Sequence, residues 1–171
     1  MAIPQSQLPS TAGAVARAWL GFVVLVGAHF AVRPLFDTRV NVDFLLIGIL
    51  FASVRVRPGV AALLGLVAGL TIDAFAPAAV GAAALSLVLV AFIASWVKAV
   101  FFADHVALTG LFVFVGKVGF DAVYALLSGG FTGLNLVVQL LIWSPISALM
   151  TAAVALVLLT AFRPVYRPSS T

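Results

Sequence analysis

Long apolar stretches follow one another from Ala14 to Phe162, broken only by short polar turns, and this run constrains the chain more than any motif. Hydrophobic residues make up 64% of the 171 residues and charged residues 8%. A soluble domain carries roughly 45–50% apolar and about 25% charged residues. This chain has too few polar groups to cover a water-exposed surface, so its outer solvent is lipid. In lipid each backbone N–H and C=O must be satisfied within the protein, and helices do this locally. The expected fold class is all-α, an integral membrane bundle.

A spanning helix needs roughly 20 mostly apolar residues. By that measure the chain reads as about six transmembrane helices, at 14–32, 42–54, 58–75, 79–101, 105–127 and 134–162. Arg33-Pro34, Arg57-Pro58-Gly59, Ala76-Pro77 and Ser128-Gly129-Gly130 mark the breaks. Residues 1–13 and 163–171 read as polar tails around one transmembrane domain, 14–162. The first segment is long for a signal-peptide core and no small-x-small site follows it, so it is read as a span. The second is short. It crosses only if Arg39 and Asp43 sit at the interface or the bilayer thins, and a re-entrant hairpin is the alternative.

Positive charge orients such a chain. Arg17, Arg55, Arg57, Lys98, Arg163 and Arg167 fall on one side, against Arg33 and Arg39 on the other, which makes both termini cytoplasmic. The net charge of +4 is read as this loop charge and not as a nucleic-acid footprint.

Ionisable groups inside the spans are costly and each needs a reason. Ala61, Gly65, Gly69 and Asp73 are spaced by four and form one row on the third helix, where the glycines admit close approach of another helix. Together with Gly81 this row is the expected packing or partner interface. Asp73 is either a carboxylate that orders helix ends or meets a partner, or an interface residue that ends a span. Lys117 and Asp121 are four apart on the fifth helix, with Lys117 ~18 Å into the span. Two readings stand: an intramembrane ion pair in the bundle core, which the depth of Lys117 favours, or a snorkelling lysine with an interfacial aspartate. Arg33, Asp37, Arg39 and Asp43 form an expected outer polar cluster that Asp73 joins. Pro145 is expected to kink the sixth helix, with Gln139 and Ser144 serving backbone groups freed nearby. His29 and His105 read as isolated polar residues at membrane boundaries.

Little points to catalysis. The chain has no cysteine, and its histidines and aspartates have no metal-ligand spacing. No Gly-x-Ser-x-Gly elbow or phosphate-cradling loop is present. An aspartate pair, Asp73 and Asp121, lacks the flanking motifs of an intramembrane protease. No cofactor is expected.

The order of residues from 42 to 96 is more specific than any one motif. Val42-Asp43-Phe44-Leu45-Leu46 precedes basic Arg55 and Arg57; then come Gly59, the run from Leu64 through Gly65 and Gly69 to Ile72-Asp73, then Gly81 and Leu85. This pattern resembles MreD, a family of rod-shape-determining membrane proteins of bacteria. The likeness covers about a third of the chain and carries over Asp43, Gly65, Gly69, Asp73, Gly81 and Leu85. Val42 stands where the family usually has proline, and Ala76-Pro77-Ala78 replaces a more glycine-rich turn. The resemblance implies the six-helix fold of the substrate-binding subunits (S-components) of energy-coupling-factor vitamin transporters. It also implies a non-enzymatic place in the cell-wall elongation machinery of the bacterial cytoplasmic membrane. The implied partner is MreC, a single-span protein with an extracytoplasmic domain, and through it MreB, RodA and a penicillin-binding transpeptidase.

Two other functions remain open on the residues. A substrate-binding subunit of a vitamin-type transporter shares the implied fold, and fold does not fix function. An intramembrane enzyme would place Asp73 and Asp121 at its centre.

Overall fold

The computed structural model describes residues 42–75, 79–101, 106–130 and 133–162, with separate positions between 20 and 31 that are all helical. Arg33, Asp37 and Arg39 of the expected outer cluster lie outside the described residues. The helices are α1 (Phe44–Ser53), α2 (Pro58–Phe75), α3 (Ala82–Phe101), α4 (Val106–Ser128), α5 (Leu134–Val138) and α6 (Ser144–Phe162). A π-helical turn, Gln139–Trp143, joins α5 to α6.

Each boundary has a local cause. Pro58 opens α2, where its missing N–H costs nothing. The basic turn before it is held from outside: Ser95 Oγ donates to the Val56 carbonyl at 2.8 Å. Gly129, with φ +62°, follows the last residue of α4 and stops the helix. Pro145 lies two residues beyond the π turn. The disturbance expected at Pro145 takes the form of one wide turn just before it. Such a turn makes room for a ring that would otherwise clash with the carbonyl four residues back.

Among the described residues, three helices are long and apolar enough to cross a membrane: Pro58–Phe75, Ala107–Ser128 and Leu134–Thr160. Large apolar side chains cover the outside, among them Leu63, Leu70, Phe92, Trp96, Leu149 and Val157. A surface of this kind is stable in hydrocarbon and not in water. The described chain is an all-α, multi-pass membrane bundle.

The short second span is resolved differently from the rest. α1 has 10 residues, or ~15 Å of helix, about half the hydrocarbon thickness. It does not cross by itself. Leu45, Leu46, Ile47, Ile49 and Leu50 are all buried, so this helix lies inside the bundle rather than against lipid. It touches α2, α3, α4 and α6.

The most extensive pairing joins α2 to α3, and the glycine row makes it. A Cβ on Gly69 would lie 2.3 Å from the Ala84 Cα, and one on Gly65 would lie 2.5 Å from the Leu87 carbonyl oxygen. Both obstacles are backbone, which cannot swing away. Ala61 and Ala68 complete the contact and are fully buried. The row is therefore filled by the chain's own α3 and is not a vacant groove for a partner. Gly81, expected in the same packing set, does something else: a Cβ there meets nothing within 4 Å, and its φ is +89°. It is a turn glycine at the entry to α3.

Gly69→Leu is expected to destabilise the bundle by about 1–3 kcal/mol or more, because the helix pair must separate. Gly59→Ala, where a Cβ meets open space, is expected to change little. Thermal melting in detergent distinguishes the two; equal melting temperatures for both variants would refute the packing argument.

Candidate functional site

Lys117 is the twelfth residue of the 23-residue α4, at the middle of a helix ~35 Å long. Only 4% of its surface is exposed. Its Nζ donates to Asp121 Oδ1 at 2.5 Å, one turn further along α4. It also donates to Asp43 Oδ2, from the residue that precedes α1. One ammonium thus bridges two carboxylates from two elements. Asp121 Oδ2 accepts a further hydrogen bond of 2.9 Å from the hydroxyl of Ser144, the first residue of α6. The Phe120 ring lies 5.2 Å from the Lys117 nitrogen and stacks on Tyr124 at 5.8 Å. His29, also buried, brings its Nδ1 to 3.9 Å from Asp43 Oδ1.

The physics of the site follows from its depth. A lone charge there is strongly disfavoured, and close pairing recovers much of that cost. Charge-assisted bonds to Lys117 are short and strong, and here they join the start of α1, α4 and α6 at one point. Asp43 occupies the N-cap position of α1, yet its side chain makes no capping bond; its carboxylate is committed to Lys117.

Several expectations change. Asp43 was placed in an outer cluster with Asp73, but the two carboxylates serve different centres. Asp73 accepts three backbone N–H groups, from Gly81 at 3.1 Å, Ala83 at 3.1 Å and Ala84 at 3.0 Å. It therefore caps the first turn of α3 and closes the α2–α3 turn, where a negative charge suits the helix dipole. Ser144 was assigned to backbone freed by Pro145, but its hydroxyl is turned to Asp121. His29, read as an isolated boundary residue, faces the buried centre. The Lys117–Asp121 pair has the core geometry that its spacing suggested.

Two signals pointed to the missed members. One lysine deep in a span invites a second acid, and Asp43 heads a span too short to begin at the interface. Neither signal identifies its partner, because Asp43 and Lys117 are 74 residues apart.

A groove of about 270 Å³ lies between α1, α3 and α4, lined by Leu50, Val90, Ala94, Phe112, Gly116 and Gly119 among others. Its named walls are entirely apolar. It offers no hydrogen-bonding group to a polar ligand, and the Lys117 centre does not line it.

Lys117→Met is expected to be the most destabilising single change in this centre, costing about 3–5 kcal/mol, because it strands two buried carboxylates. Adding Asp43→Asn and Asp121→Asn to it should restore much of the loss. Melting temperatures of the single and triple variants in detergent check this. A triple variant less stable than Lys117→Met alone would show that the pairing argument is wrong.

Compared with known proteins, the chain matches no family model, no curated protein and no solved structure.

Proposed function

We propose that this chain is a non-enzymatic membrane scaffold of the bacterial cell-wall elongation machinery, of the MreD kind. On this reading it crosses the cytoplasmic membrane about six times with both termini in the cytoplasm, in a bundle like that of the vitamin-transporter S-components. It binds a single-span, MreC-like protein and through it helps position the peptidoglycan synthesis complex.

One observation carries the reading. Among the described residues, the charged groups within the spans are turned inward and engaged with the chain's own groups: Lys117 with Asp43 and Asp121, and Asp73 with the start of α3. What remains outside is an apolar helical surface. In lipid such a surface meets other proteins through close helix packing and not through solution chemistry. The residues that carry the MreD resemblance also form one connected unit. Asp43 heads α1, Gly65 and Gly69 fit α2 to α3, and Asp73 with Gly81 makes the turn between them. The aspartates an intramembrane protease would use are engaged in capping and in ion pairing.

A second reading has an observation in its favour. A polar centre at mid-span beside a half-length helix is an arrangement that membrane transporters use for substrate sites. A substrate-binding subunit would need that centre open to a ligand, whereas here Lys117 fills it and the adjoining groove is apolar.

Affinity purification of the tagged chain from its native membranes tests both. Co-elution of a single-span protein with an extracytoplasmic domain is the expected result. Recovery of a vitamin-like molecule together with an ATPase module would overturn the scaffold reading in favour of the transporter subunit.

A further inference from the structure

Among the described residues, the charges at the mid-bundle centre do not balance. Two carboxylates, Asp43 and Asp121, share one ammonium, that of Lys117. Fully ionised, these three groups carry one net negative charge at the depth where an uncompensated charge is most costly. A metal cation is poorly placed to supply the missing charge. Lys117 Nζ already occupies the space between the two carboxylates, and among the described residues no three metal-binding side chains come together. A proton needs no such space.

The geometry also indicates where that proton resides. Both oxygens of Asp121 are engaged, one accepting from Lys117 and the other from the Ser144 hydroxyl. Asp43 gives one oxygen to Lys117 and turns the other toward His29 Nδ1, 3.9 Å away. Histidine is the more basic of the two facing groups by more than two pK units in water. Among the described residues, the ionisable groups near His29 include Asp43 ahead of α1 and, beyond it, Lys117 and Asp121 on α4, with uncharged Ser144 from α6.

We infer that this centre is a proton-binding site: it holds one exchangeable proton on the Asp43–His29 edge, carried by His29 as imidazolium. With the proton bound, two positive and two negative groups lie together and the interior is neutral. Release of the proton leaves a net negative charge that Lys117 alone does not cancel, which loosens the junction of α1 with α4 and α6. This holds whether the chain is a scaffold or a transporter subunit, since it depends only on the groups at the junction.

The chain has two histidines, so a His105→Gln background leaves His29 as the sole imidazole signal. Ring-labelled histidine in the full chain, purified in detergent, is followed by NMR from pH 5 to pH 9. His29 is expected to be protonated near neutral pH. In Asp43→Asn, and separately in Asp121→Asn, its protonated-to-neutral ratio at pH 7 should fall about tenfold or more, because either change leaves Lys117 with one matching carboxylate. Thermal melting gives an independent readout. The parent should lose stability as pH rises through the His29 transition, and His29→Gln should abolish that step. A His29 signal that stays neutral down to pH 5, or a titration unchanged in both aspartate variants, overturns the inference. So does a melting step that persists in His29→Gln.

Discussion

A charge in the middle of a hydrocarbon slab must be cancelled on the spot, because no water is there to screen it. That requirement organises the interior of this protein. Lys117 cannot be seated until Asp121 and Asp43 are both within reach, and Asp43 cannot reach it unless α1 begins inside the bundle. Ser144 meets the same centre from the start of α6. A single ammonium therefore fixes the relative depth of three elements that apolar contacts alone would let slide. Hydrocarbon packing is nearly indifferent to a shift of one helix along another, whereas a short ionic bond is not.

The second organising contact is the opposite in kind. Where α2 meets α3 there is no side chain at all at Gly65 and Gly69, and backbone lies on backbone. Asp73 closes that hairpin by capping the first turn of α3. The bundle thus combines an ionic junction in its interior with a hairpin made by the removal of bulk. Both face inward, and both leave the described lipid-facing surface to large apolar side chains such as Leu63, Phe92, Trp96 and Val157. A protein so built offers, among its described residues, much apolar area with which to hold another helix. The proposed scaffold role would use that apolar area.

Much of this was legible in the residues, and the rest was hidden for identifiable reasons. Hydropathy and turn residues located α2 from Pro58 to Phe75, with α4 and the end of the last helix close to their observed bounds. These features are local, and local periodicity records them. The four-residue spacing of Lys117 and Asp121 was likewise visible. The partnership of Lys117 with Asp43 was not, since it joins positions 74 apart and nothing in the neighbourhood of either names the other. Gly81 looked like one more packing glycine, because composition does not distinguish a missing side chain needed for space from one needed for a φ of +89°. Pro145 announced a disturbance, but its form, a π turn over the five residues Gln139–Trp143, is set by neighbours that the local sequence does not name. His29 was misplaced because its partner is brought to it by the fold.

The brevity of α1 bears on how the protein is made. At ten residues it is too short to be threaded across the bilayer on its own apolar character, and it carries Asp43 at its leading end. The lysine that this carboxylate bonds, Lys117, emerges from the ribosome 74 residues later. The junction that α1 shares with α4 and α6 can therefore close only after both have been made, late in synthesis rather than at its start.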